Sequence, residues 1–271
     1  DGEIFATGQM AMSQDRPDKY SWGVSLAQVA RLYCQAQGTL GIITTAAVTL
    51  KTATPHNQVF FSPCKNINQV TQALKTFIAT EEPHEIFAVN KAWTVVIVTR
   101  GFEKEEIAYK KKDLTAIAKQ LKIELTPRLK AAKNGGENIL TELKHPTGSS
   151  LHREESRGWV PVVTIATASQ IKECSRLFPK DSGALLMPLQ AGGCFYYQPD
   201  LRYQQGEEKE ARKNYLSICN KLLKAGVTFP RPSALIAGQV ATRYPANFKL
   251  LRALKKAVDP NNIMNPKKLG L

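Results

Sequence analysis

Two segments carry residue types and spacings suited to handling a phosphorylated ligand. Gln37-Gly38-Thr39-Leu40-Gly41-Ile42-Ile43 places two glycines three apart, ahead of a β-branched run. Glycine has no Cβ, so the backbone of such a turn approaches a ligand closely. Its consecutive N–H groups can then hold pyrophosphate oxygens or the edge of a base. The segment is neither a Walker loop, which needs G-K-[ST], nor a G-x-G-x-x-G fingerprint. Read alone, such a turn ahead of a strand is more often simply structural. The second segment, Asp259-Pro260-Asn261-Asn262-Ile263-Met264-Asn265-Pro266-Lys267, spells by itself only a helix stop, an Asx-type turn and a stiff tail.

Three more side chains are candidates for work on a substrate. Tyr196, in Cys194-Phe195-Tyr196-Tyr197-Gln198, is a phenol that acts as a base only when a cation lowers its pKa from about 10. Sheet packing is its other reading. Arg231, between Pro230 and Pro232, and Arg243, beside Tyr244, carry planar forks suited to a carboxylate. Their plainer readings are a surface arginine and helix-entry packing. His56 and His84 flank turns, while His145 and His152 sit in a polar loop, and none is spaced as a metal ligand, so no metal centre is expected. Cys34, Cys64, Cys174, Cys194 and Cys219 lie apart with no C-x-x-C pair, which suits a reducing compartment such as the cytoplasm.

The elements that must position these groups read from periodicity. After a turn at Asp1–Gly8 and a polar loop over 9–21, a helix is expected from Leu26 to Cys34, then a buried strand following Gly41. Strands are expected at Val59–Phe61, Ile86–Val89 and Trp93–Val98. A helix carries Ile67, Val70, Leu74, Phe77 and Ile78, and a second runs from Glu103 to Lys122. The same β-α-β-β-α order repeats in Val160–Ala166, a helix capped by Ser169, Ala184–Leu189, Cys194–Tyr197 and Glu207–Ala225. A long polar loop over 128–158 separates the rounds. Phe229–Ser233 is rigid and non-helical. Phe248, Leu251, Leu254 and Val258 share a final helix stopped by Asp259-Pro260. The expected fold class is therefore α+β, with one large antiparallel sheet and helices on one face.

Length and charge narrow the function. The 271 residues, 43% hydrophobic and 22% charged, support roughly two domains with a sizeable core and argue against disorder. No apolar run reaches the roughly 18 residues of a membrane span, and the segment that opens at Asp1 has neither the charged n-region nor the apolar h-region of a targeting peptide. A net charge of +14 attracts anions of any kind. Nucleic acid is not the expected partner, because no RNP stripe, zinc finger or helix-turn-helix accompanies the charge. Lys110-Lys111-Lys112 reads as a solvated helix face. The denser cluster Lys249, Arg252, Lys255, Lys256, Lys267 and Lys268 suits cofactor phosphates, an acidic partner or a peripheral contact with an anionic membrane.

Taken together, the two segments resemble the FAD-linked oxidases of the vanillyl-alcohol oxidase and glycolate oxidase type, with their PCMH-type FAD-binding domain. The G-T-L-G-I-[IV]-T and D-P-x-x-I-[LM]-N-P-x-K motifs are both present, and Asp1–Gly8 is similar to the D-G-E-x-x-x-T-G segment that precedes them. The resemblance implies the end of an FAD-binding domain at 1–52, a substrate (cap) domain at 53–228 and a segment returning to the flavin at 229–271. It implies FAD as cofactor, held by Gln37, Gly38, Thr39, Leu40, Gly41, Ile42 and Ile43 on its adenine and pyrophosphate side and approached by Asn265 and Lys267 from the tail. The family usually reads N-P-G-K, whereas Lys267 here follows Pro266 directly. The first flavin subdomain is expected ahead of Asp1, on the same or a separate polypeptide. The implied reaction is hydride transfer to flavin from a small hydroxylated substrate, a 2-hydroxy acid, with Arg231 or Arg243 on its carboxylate and Tyr196 as base. An iron–sulfur subunit is implied as electron acceptor. A phenol oxidiser of the vanillyl-alcohol type and a non-catalytic cap-like subunit are the alternatives.

Overall fold

A computed structural model describes residues 30–34, 36–46, 52–90, 93–128, 158–179 and 182–271, together with Ile4, Ala6, Thr7, Val48 and Leu50. Most of the Asp1–Gly8 turn, the 9–21 loop, the start of the Leu26–Cys34 helix and the polar loop with His145 and His152 lie outside the described residues. The chain divides into two compact units, Asp1–Leu50 with Arg231–Leu271, and Lys51–Pro230.

The larger unit is the expected pair of rounds. The first is β1 (His56–Pro63), α2 (Ile67–Ile78), β2 (Glu85–Asn90), β3 (Thr94–Gly101) and α3 (Lys104–Gln120). The second is β4 (Gly158–Pro161), β5 (Thr164–Ala166), α4 (Ala168–Cys174), β6 (Ala184–Leu189), β7 (Cys194–Tyr203) and α5 (Glu208–Lys224). The strands form one antiparallel sheet in the order β1-β3-β2-β6-β7-β4, with β5 also on β7. β3 pairs with β1 and β2, β7 pairs with β4, β5 and β6, and the two rounds join where Ala88 meets Leu186. β3 is buried along nearly its whole length, as its Val-Val-Ile-Val run demands.

The helices bury the stripes their spacing sets. Asn66 caps α2 by accepting from the Gln69 N–H at 3.0 Å, and Val70, Ala73, Leu74 and Phe77 are wholly buried. Each of the larger ones contributes about 1.5–3 kcal/mol of burial free energy. On α3, Ile107, Leu114 and Ala118 are buried. Lys110 is not simply solvated: its ammonium donates to Glu106 Oε1 at 2.6 Å and to the Arg100 carbonyl at 2.7 Å.

Side-chain alternation gives the sheet two distinct faces. Phe60, Ala88, Ile97, Leu186 and Tyr197 share one, and α2 to α5 pack against these strands. Phe61, Phe87 and Val96 form a cluster on the other, edged by half-buried Val59, Val89, Leu185 and Met187. Tyr196 stands opposite Met187, and Gln198 opposite Leu185, on that second face.

Several local expectations need correction. The single strand at Val160–Ala166 is two, because Pro161 has no N–H to continue the ladder. The cap of α4 is Thr167, not Ser169: Thr167 and Gln170 form a reciprocal capping box. β7 runs on to Tyr203, passing through Pro199, whose carbonyl accepts from the Val162 N–H at 2.9 Å.

The smaller unit holds α1 (Ala30–Tyr33), α6 (Ala237–Arg243) and α7 (Pro245–Val258). Helix α6 has no counterpart in the sequence reading. Pro245 opens α7, where its missing N–H costs nothing. The run after Gly41 is not a buried strand among the described residues: Ile42, Ile43, Val48 and Leu50 are 83%, 64%, 76% and 85% exposed. β-branched residues favour extension, but a strand exists only where a neighbour takes its backbone groups, and no described strand pairs here.

Candidate functional site

Both glycine-marked and tail motifs fall in the smaller unit, and they meet there. Following α1, the chain turns at Ala36: the N–H and hydroxyl of Thr39 both donate to the Ala36 carbonyl, at 3.0 and 2.7 Å. Gln37 and Gly38 take the left-handed conformation, at φ +53° and +69°. The amide of Asn265 donates to the Gln37 carbonyl at 2.7 Å. A Cβ on Gly38 would lie 2.7 Å from that same amide nitrogen. Gly38 is therefore required twice, for its positive φ and for the space that Asn265 fills. Gly41 is needed likewise against the Tyr33 ring, 2.9 Å from where a Cβ would sit. The close approach expected of these glycines is thus made first by the chain itself.

A buried ion pair locks this meeting. Lys255, 5% exposed, and Asp259, 7% exposed, are one turn apart at the end of α7 and bonded to one another. The Lys255 ammonium also donates to the Thr39 carbonyl at 2.8 Å and the Met264 carbonyl at 2.6 Å. Asp259 accepts from the N–H groups of Ile263 at 2.9 Å and Met264 at 2.8 Å. The Lys255 ammonium, with those two N–H groups, holds the Asp259 carboxyl down at about 2. Neither residue was singled out for this from the sequence, where Lys255 stood in the basic surface cluster. The signal was its place on the apolar stripe of α7, one turn after Leu251.

The other expected cofactor residues divide by exposure. Thr39 and Leu40 are buried, so they offer a ligand backbone rather than side chain. Ile42 and Ile43 are exposed. Lys267 is exposed and left-handed at φ +70°, in the place where the resembled motif has glycine, and its N–H closes onto the Leu271 carbonyl at 3.0 Å. Three features suit an anionic, base-bearing group. The N–H groups of Gly38, Leu40 and Gly41 meet no acceptor among the described residues. Gln37 Nε2 is buried without a partner among them. Lys267 and Lys268 are exposed on the tail, while Asp259, the one acid of residues 231–271, is already paired. The residues present therefore fit a dinucleotide cofactor.

The substrate-side candidates are split between units. Tyr196, in the larger unit, donates its hydroxyl proton to Gln198 Oε1 at 2.7 Å. Arg231 and Arg243 belong to the smaller unit and are exposed. The Arg243 guanidinium carbon lies 5.8 Å from the centroid of the Tyr244 ring. Among the described residues, no cluster of three metal-ligating side chains exists and no helix is long and apolar enough to cross a membrane.

Residues 240–269 match the family model described as FAD linked oxidases, C-terminal domain. No curated protein matches the sequence. Among solved structures, alkyldihydroxyacetonephosphate synthase in two crystal forms is similar over 84% of this chain, at TM-scores of 0.56 and 0.54 and 15% identity. The matched part is 48% and 47% of those chains, so this chain spans about half their length. A VAO-type flavoprotein from Myceliophthora thermophila C1 is similar over 79% of this chain and 47% of its own, at 12% identity and a TM-score of 0.47.

Proposed function

We propose that this chain, a C-terminal part of a PCMH-type FAD-linked oxidase, works in an oxidoreductase acting on a small hydroxylated, anionic substrate, a 2-hydroxy acid. FAD is the cofactor that goes with this family. The observation that carries the reading is Asn265 seated against Gly38, which brings the two motifs into one preformed surface. In this reading residues 1–52 close the flavin domain, 53–228 form the cap and 229–271 return to the cofactor. The remaining flavin contacts come from sequence outside these 271 residues, on the same or another polypeptide.

When bound, FAD supplies the two-electron acceptor for a C–H bond. The N–H groups at Gly38, Leu40 and Gly41, which meet no acceptor among the described residues, bind its pyrophosphate, with Gln37 Nε2 as a further donor. Lys267 adds charge, and Asn265 approaches the ring. Arg231 or Arg243 holds the substrate carboxylate by a bidentate fork. Tyr196 would take up the substrate hydroxyl proton only as its phenolate, after the proton it now gives to Gln198 has left to solvent. Electrons then pass to an iron–sulfur partner, and the scattered free cysteines favour a reducing, cytoplasmic setting.

The test begins with titration of the full-length protein with FAD, followed by flavin fluorescence. Anaerobic bleaching of the flavin absorbance is then compared for 2-hydroxy acids and 4-alkylphenols. Bleaching by the acids supports the reading. Bleaching by phenols alone moves it to the vanillyl-alcohol type, and failure to retain FAD removes it.

A further inference from the structure

We infer that Lys255 is the positioning residue of the cofactor surface, a role that rests on the flavin reading above. A lysine ammonium has three donors and no acceptor. Here three oxygens on three segments take them: the Thr39 carbonyl in the turn, the Met264 carbonyl in the tail and the Asp259 carboxylate at the helix end. Thr39 follows Gly38 in the chain, and Met264 precedes Asn265. Lys255 thus grips the residue next to each partner of the Gly38–Asn265 contact. With its donors committed and its side chain buried, it is not the phosphate ligand that its place in a basic cluster suggests.

The choice of lysine over an apolar residue needs explanation. A buried ion pair adds little net stability over apolar packing of the same volume, because desolvation offsets the attraction. What it adds is register. Apolar contact would hold the turn near α7 but allow it to slide, whereas an ammonium donates to two carbonyls and a carboxylate in one arrangement only. Replacing Lys255 leaves two carbonyl oxygens without their donor and a buried carboxylate without its counter-charge, held only by the Ile263 and Met264 N–H groups. The turn and tail then have reason to separate, and the surface that holds the cofactor loses its shape while the cap unit keeps its own core.

The experiment compares Lys255→Met with a control of unrelated position, Leu222→Ala, whose side chain is 1% exposed in the cap unit. In the full-length protein three quantities are read: the FAD dissociation constant, the visible circular dichroism of bound flavin, and the thermal midpoint. Lys255→Met is expected to weaken FAD at least tenfold and to change the flavin dichroism. Leu222→Ala is expected to lower the midpoint yet leave both flavin readouts within about twofold. Asp259→Asn, which keeps an oxygen for the ammonium but removes the charge, is expected to fall between them, and it carries the test if Lys255→Met does not fold. Wild-type affinity and dichroism in the Lys255 and Asp259 variants would overturn the inference while leaving the flavin reading intact. Losses that merely track the midpoint in all three variants would overturn it as well. A wild-type protein that binds no FAD would remove both.

Discussion

Lys267 stands where the resembled motif carries glycine, yet its backbone is left-handed at φ +70°. A residue with a Cβ loses about 1–2 kcal/mol in that conformation, and glycine gives back part of the gain through its freer unfolded chain. Lys267→Gly is therefore expected to raise stability by about 1 kcal/mol, read from the denaturant midpoint of the smaller unit's transition. A lower midpoint would mean that the lysine side chain makes contacts worth more than the strain. The Asp259 carboxyl gives a pH test with a defined sign. Its pKa is lowered from 3.8 to about 2, so it favours the folded state at pH values above about 4, and that contribution is lost as pH falls through the folded value near 2. The stability difference between wild type and Asp259→Asn is expected to be constant above about pH 4 and to shrink towards pH 2. A difference that stays flat over that range would show that the carboxylate is not held by Lys255. Both motifs were legible in the sequence as motifs; their lock was not. Residue type pointed Lys255 outward, while its place on the helix stripe pointed it inward, and position won because three acceptors offset the desolvation of the charge.

At the scale of elements, hydrophobic periodicity was enough to place both β-α-β-β-α rounds, because each of their strands and helices buries one stripe on a neighbour close in the chain. It failed where the deciding partner lay elsewhere. The run after Gly41 has the composition of a strand but no described strand beside it. Helix α6 is only seven residues long, with no side chain capping its start, and so carries little signal of its own. The strand expected at Cys194–Tyr197 runs on to Tyr203 through Pro199, whose carbonyl the Val162 N–H takes from a segment distant in the chain. The cap of α4 turns on a similar near miss of two residues. Thr167 accepts from the Gln170 N–H and Gln170 accepts from the Thr167 N–H, whereas Ser169 contacts only the Thr167 hydroxyl. Thr167→Ala is expected to cost about 1 kcal/mol and Ser169→Ala a few tenths at most, compared by urea denaturation. Equal losses would refute the capping box as the start of α4.

The charge of the whole molecule is unevenly placed, and this bears on how it meets its cofactor. Residues 231–271 hold eight Lys and Arg against the single Asp259, a net of +7 out of the chain's +14. Lys255 and Asp259 neutralise one another inside, so the other seven cations, all exposed, set the field of that segment. A field of this sign draws in the two phosphates of FAD whatever the detailed contacts, and it is screened once the Debye length falls from about 10 Å at 0.1 M salt towards 3 Å at 1 M. The backbone donors proposed at Gly38, Leu40 and Gly41 would act at hydrogen-bond range and be screened far less. The affinity for FAD is therefore expected to fall several-fold, not to vanish, between roughly 0.05 and 0.5 M NaCl. Neutralising the tail by Lys267→Gln with Lys268→Gln should weaken binding at low salt and flatten that dependence, with little change at high salt. Fluorescence titration of the two proteins across the salt series checks this. Parallel slopes would assign the attraction to the cations of α7 instead of the tail, and no slope at all would mean that this basic surface serves an anion other than the cofactor.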